Sequence, residues 1–267
     1  MIALKTKKME TKIYKTKNGV KSYMKPIFPI LVCVLLAYTS CRKDSVTAPT
    51  AAKPTNAALS SQIAINLSKS LAGSFGGVNL KDGVNVSVAD HLGPHHACGC
   101  TTANTLCGFY TDSLVNYNAT IVDTTIHTGG NLKFYFNCVD GKLSGYSAYD
   151  SLNTVRTTPQ SVATYKVQQW YTIQSLDAQN EFIGVTGTND LHTSIIYTGN
   201  ATPEIGGSFY ELTNLKIDVT NKDILSGTAT FAAYGSNWDI KGTITFLGNH
   251  MADVTANGVT THVTLTF

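Results

Sequence analysis

Two hydrophobic periods divide the chain. Through ALSSQIAINLSKSLA, residues 58–72, Leu59, Ile63, Leu67 and Leu71 recur every four positions and form a single apolar stripe. That spacing predicts one short amphipathic helix, with Thr55 or Asn56 able to cap its start and Gly73 placed to stop it. From about residue 108 onward the period is two. Apolar and polar positions alternate through Trp238-Asp239-Ile240-Lys241-Gly242-Thr243-Ile244-Thr245-Phe246, as expected of a strand with one buried and one wet face. Leu132, Phe134, Phe136 and Cys138 share a face by the same rule. So do Tyr165, Val167, Tyr171 and Ile173, then Leu215, Ile217 and Val219, and at the end Val263, Leu265 and Phe267.

Turn signals punctuate these runs at Asp140-Gly141, Asn189-Asp190, Gly199-Asn200 and Asn257-Gly258. Roughly ten strands with short connections predict an antiparallel meander, since helical crossovers would need longer links. The expected fold is therefore all-β, a single antiparallel meander built as a β-sandwich or barrel-like domain, with one short N-terminal amphipathic helix. No repeat of fixed length is present, which argues against a propeller or solenoid.

Composition changes the picture at the N-terminus. Ile27 to Tyr38 is almost wholly apolar and too short to span a bilayer as a helix; it follows Met24-Lys25-Pro26 and precedes Thr39, Ser40 and Cys41. This is the layout of a signal peptide. Small residues directly before a cysteine resemble the lipobox of bacterial lipoproteins, with Tyr38 where such boxes usually carry Leu. Arg42-Lys43-Asp44 resembles the start of mature Bacteroidota outer-membrane lipoproteins. The resemblance covers the signal region only. It implies that Cys41 is acylated, with a palmitate-type chain among its lipids, and that the protein is anchored at the outer membrane on its periplasmic or cell-surface face. Residues 1–40 are read as the signal peptide, with 1–23 either an elongated n-region or an over-extended start. Residues 41–55, small, polar and proline-containing, are read as a flexible tether, and 56–267 as a single β-rich domain.

Lys+Arg is 20 and Asp+Glu is 17 over the whole chain, but residues 1–40 hold eight lysines and one glutamate. Removing them leaves 12 basic against 16 acidic residues, a balance of −4 in place of +3. The basic character belongs to the segment expected to be cleaved, and with it goes the usual argument for nucleic-acid binding.

The one dense cluster of chemically versatile residues is HLGPHHACGC, residues 91–100. With Cys33 in the signal and Cys41 under lipid, four thiols remain in the domain: Cys98, Cys100, Cys107 and Cys138. An even number outside the cytoplasm points to disulfides, and four cysteines allow three connectivities. A Cys98–Cys100 ring would be strained, which favours pairings that join the loop to the Cys138 strand. A Cys107–Cys138 bridge would close a loop of about 30 residues, for roughly 3 to 4 kcal/mol in the chain-entropy model. It would staple the glycine-rich 74–106 segment to the sheet, and Cys138, sharing the face of Leu132, Phe134 and Phe136, is expected to lie buried. The alternative uses the same atoms as ligands. His91, His95, His96, Cys98 and Cys100 offer imidazole and thiolate donors suited to zinc or copper, although one crowded run is unlike the paired spacing of structural zinc sites.

No catalytic motif is present: neither a G-x-S-x-G elbow, nor H-E-x-x-H, nor a P-loop, nor G-x-G-x-x-G. His250 lies near Asp253 in sequence, and His127 and His192 sit among polar strand residues. Asp-Ser and Asp-Thr pairs at 44–45, 112–113, 123–124 and 150–151 resemble the O-glycosylation sites of secreted Bacteroidota proteins. The closing THVTLTF resembles the last strand of outer-membrane barrels, but the outward Thr, Lys, Asp and Asn supply no apolar lipid band. The expectation is a non-enzymatic, lipid-anchored envelope module without cofactor, either binding a glycan, a lipid or an envelope protein or supporting an envelope complex structurally, with exposed aromatics such as Trp170, Tyr171, Tyr210 and Tyr234 as its motivation. The alternative expectation is a metal-handling lipoprotein using the 91–100 loop.

Overall fold

A computed structural model describes residues 54–84, 107–108, 110–200 and 202–265. The chain enters through one helix, α1 (Asn56–Leu71), whose N-cap is Thr55, its hydroxyl accepting the amide of Ala58 at 3.2 Å. Leu59, Ile63, Leu67 and Leu71 are all buried, and Gly73, at φ +70°, takes the left-handed conformation that ends the helix.

Ten strands follow: β1 (Tyr110–Ile121), β2 (Thr124–Val139), β3 (Lys142–Thr157), β4 (Ser161–Ser175), β5 (Phe182–Tyr197), β6 (Glu204–Asp218), β7 (Asp223–Gly235), β8 (Trp238–Gly248), β9 (Met251–Ala256) and β10 (Val259–Thr264). They form one antiparallel sheet in chain order, each strand bonded to its sequence neighbours. Because β1 and β10 do not pair, the sheet is open and the barrel form is not adopted. The second layer is α1 with the segment after it, giving a sandwich-like arrangement.

The sheet curls about the helix. α1 packs on β9 and β10, while Tyr210 on β6 donates its hydroxyl to Ile63 O at 2.9 Å and Gln169 on β4 donates to Ser70 Oγ at 3.2 Å. Irregularities in register at Asn137/Cys138, Val185/Gly187, Thr213/Lys216 and Phe246/Gly248 add local twist of the kind that bends a sheet. The helix stripe meets Tyr146, Tyr171, Ile183, Leu215, Ile244 and Val254 in one core. Each large aliphatic side chain buried there contributes about 1.5–3 kcal/mol of transfer free energy.

Several turn expectations hold. Asp140-Gly141 and Asn257-Gly258 both adopt positive φ between adjacent strands, as two-residue hairpin turns require, and Gly199 lies in the β5–β6 connection. Asn189-Asp190 does not form a turn. It lies inside β5, where Asn189 pairs with Gln169 on one side and Tyr210 on the other and is buried. A buried hydrogen-bonding site outweighs the turn preference of the dipeptide there.

The segment after the helix is more ordered than its glycines imply. Residues 80–82 form a turn of 3₁₀ helix capped by Asn79, and Val78, Leu80 and Val84 enter the core. The Asp112-Ser113 and Asp150-Ser151 pairs lie within strands, where Ser113 is buried and Ser151 half-buried; Asp123-Thr124 lies at the β1–β2 turn.

Candidate functional site

Strand parity divides the aromatics. On β4, Trp170 points outward and is 63 % exposed, whereas Tyr171 points inward and is fully buried. Tyr210 is buried likewise, while Tyr234 lies on the outer face. The expectation of four exposed aromatics is therefore corrected for Tyr171 and Tyr210. Both phenols end on buried partners: Tyr171 accepts the Asn189 side-chain amide at 2.7 Å, and Tyr210 reaches the helix backbone. Burial pushes both hydroxyls well above the ordinary phenol range.

The outer face of β3 to β6 carries the candidate site. Tyr149 on β3 and Trp170 on β4 are direct cross-strand partners, and their rings meet edge to face at 6.2 Å. The indole is held against Tyr149 in this way while remaining largely exposed. Two residues along β4 on the same face, Thr172 opens a shallow groove of about 220 Å³. Its polar walls are Thr172 and Gln174 of β4, Thr186 of β5, and Asn214 and Lys216 of β6.

The groove has a local cause. Val185 pairs with Leu215 and Gly187 with Leu212, so two residues of β6, Thr213 and Asn214, stand opposite the single residue Thr186. This is a bulge, and Asn214 takes φ +49° within it. Leu212 and Leu215 both remain in the core while Thr213 and Asn214 are both exposed. At the groove's end the Lys216 ammonium lies 4.6 Å from the Phe182 ring centroid. Further along the same face, His192 hydrogen-bonds Tyr234 Oη at 2.8 Å through Nδ1, while its Nε2 lies 3.2 Å from Asp190 Oδ1, near the exposed ring of Phe209.

The other described histidines also find partners. His262 pairs with Asp253, His250 stacks its ring nitrogen 3.5 Å from Asp223, and His127 bonds Asn118 at 2.7 Å. The sequence neighbours His250 and Asp253 are thus committed to different partners.

Beneath the sheet lies a polar cluster that periodicity does not announce. Asp150, Gln169 and Asn189 are consecutive cross-strand partners on β3, β4 and β5, facing inward, and all three are buried. The chain after α1 passes directly over them. Val78 N donates to Gln169 Oε1 at 2.9 Å and to Asp150 Oδ2 at 3.2 Å, and Asn189 donates to Ser70 Oγ at 2.7 Å. Gly77 makes that approach possible: a Cβ there would sit 2.4 Å from Gln169 Oε1 and 2.8 Å from Asp150 Oδ2. Asp150 Oδ1 and Asn189 Oδ1 accept no hydrogen bond from the described residues. Burial drives the Asp150 carboxyl up to about 8, against the smaller opposing effect of its contacts with Val78 and Gln169. A carboxyl so perturbed resembles a catalytic acid. Its 0 % exposure keeps it from any substrate and assigns it to holding the loop.

Cys107 and Cys138 are bonded at an S–S distance of 2.11 Å, tying the start of β1 to the end of β2. Both are half-buried, which corrects the expectation that Cys138 lies inside with Phe136. The β2–β3 register shifts between Asn137 and Cys138, and the alternation that buries Phe134 and Phe136 is lost there. Cys41, His91, His95, His96, Cys98 and Cys100 lie outside the described residues, and so do the signal, most of the tether and the zinc or copper reading. Among the described residues no group of three or more His, Cys, Asp or Glu side chains is arranged to hold a metal ion, and no helix is long and apolar enough to cross a membrane. No protein family, curated protein or solved structure matches the chain.

Proposed function

We propose that the protein is a non-catalytic carbohydrate-binding module of the cell envelope, held at the outer membrane by an acylated Cys41 and binding glycan on the outer face of β3 to β6. The observation that carries the reading is Trp170, an indole 63 % exposed and in T-shaped contact with Tyr149, two residues along β4 from a groove whose lining includes the hydroxyl and amide side chains of Thr172, Gln174, Thr186 and Asn214 beside Leu176. A sugar ring has an apolar face of C–H groups and a rim of hydroxyls. The indole offers a flat apolar platform for the first, and Thr172, Gln174, Thr186 and Asn214 offer donors and acceptors for the second. A lipid ligand is less well served, since the groove is shallow and the inward face of the sheet is occupied by α1 and the loop after it. Binding without catalysis fits the burial of Asp150, the one strongly perturbed carboxyl among the described residues, on the opposite face.

The chain has two tryptophans, and Trp238 is half-buried on another strand. Titrating the full-length protein with a panel of neutral and acidic oligosaccharides should therefore shift the emission of Trp170. Trp170→Ala should abolish both the shift and the heat of binding while leaving the melting temperature unchanged. A panel that gives neither shift nor heat in the wild type overturns the proposal.

A further inference from the structure

Resting on the carbohydrate reading, we infer that the ligand is an acidic oligosaccharide, with a uronic-acid unit in the groove and its carboxylate on Lys216, and a neighbouring sugar on Trp170. The groove fixes the size. Trp170 and Gln174 share a face four residues apart, about 13 Å at strand rise, the span of two to three pyranose rings. The volume of about 220 Å³ beyond Trp170 holds roughly one of them.

Its charge fixes the class. The lining side chains include one cation, Lys216, and no carboxylate. The nearest acid along β6, Asp218, spends its oxygens on the Asn221 backbone amide and the Asn221 side-chain amide, each at 2.8 Å, and interacts with the Lys216 charge only through space, outside the groove lining. Lys216 is held over the Phe182 ring, which places the ammonium at the groove's end without neutralising it. Asn214, turned outward by the bulge, and Gln174 stand on either side with amides that can bond the sugar hydroxyls and the second carboxylate oxygen. Inside the groove a cationic sugar would meet like charge, since the lining holds Lys216 and no carboxylate; Glu211, on the same face, stands beside Thr188 at the Trp170 end and not at the Lys216 end.

The test compares a galacturonic acid trimer with a galactose trimer by calorimetry on the full-length protein, at low and at high ionic strength, in wild type, Lys216→Gln, Lys216→Arg and Trp170→Ala. The expected result is tighter binding of the acidic trimer by about three- to fivefold at low salt, the range of a partly exposed ion pair, shrinking at high salt. Lys216→Gln should level the two ligands, Lys216→Arg should restore the preference, and Trp170→Ala should weaken both. Equal binding of the two trimers by the wild type, with both lost in Trp170→Ala, overturns the acidic assignment and leaves the carbohydrate reading standing. Absence of binding to either overturns both.

Discussion

Replacing Asp150 with Asn should make the protein more stable at neutral and alkaline pH and flatten its dependence on pH. The carboxyl is fully buried, faces no cation and is pushed to about 8 by burial. Its unfolded value lies near the ordinary 3.8. Between these values the folded chain keeps a proton that the unfolded chain has released, so stability falls as pH rises, by about 1.4 kcal/mol per unit. From pH 5 to pH 7 the loss attributable to Asp150 is about 3 kcal/mol. Asparagine keeps an oxygen for Val78 N and cannot ionise, so Asp150→Asn loses nothing over the same interval. At pH 5 the two proteins should be close, each carrying one buried polar group without a full set of partners. The assay is urea denaturation followed by far-ultraviolet circular dichroism at half-unit steps from pH 5 to 8. The relevant quantity is the difference between the two stabilities, in which groups common to both proteins, such as the carboxylates held below their usual range, Asp112, Asp177 and Asp218, cancel. Tyr146, Tyr171 and Tyr210 are raised further above 10 and stay neutral throughout. A difference that does not change with pH would refute the reasoning, as would a variant less stable than wild type at pH 8.

Two further predictions follow from the staple and the anchor. Cys138→Ser should lower the melting temperature by the equivalent of about 2–5 kcal/mol; because both cysteines are half-buried residues, reductant should do the same to the folded wild type, while chelator should leave it unchanged. If chelator destabilises the protein and Cys138→Ser does not, the thiols serve a metal instead. Cys41→Ala should move the protein from the membrane to the soluble fraction with no change in its melting temperature, and a variant that still sediments with membranes refutes the lipid anchor.

Features that depend on residues a few positions apart were determined by the sequence itself. The stripe Leu59–Ile63–Leu67–Leu71, the Thr55 cap and the Gly73 stop specify the helix, because each contact lies within one or two turns of the chain. Alternation and short hairpin turns specify about ten antiparallel strands for the same reason. Tertiary structure decided what alternation cannot carry across a bulge. One added residue at Thr213-Asn214 reverses the parity of β6, so Tyr210 and Leu212 face the core on even positions and Leu215 and Ile217 on odd ones. At Asn137/Cys138 the extra residue is Ser144 of β3, and Cys138, at the irregular end of the pairing, is half-buried where alternation alone placed it inside. Parity alone also leaves open which face a helix will cover, and therefore whether Trp170 or Tyr171 meets solvent. The Asp150–Gln169–Asn189 row is visible only once three strands are in register beneath the loop, because its members are brought together by pairing and not by spacing. The groove beside Trp170 arises in the same way, from β4, β5 and β6 lying side by side.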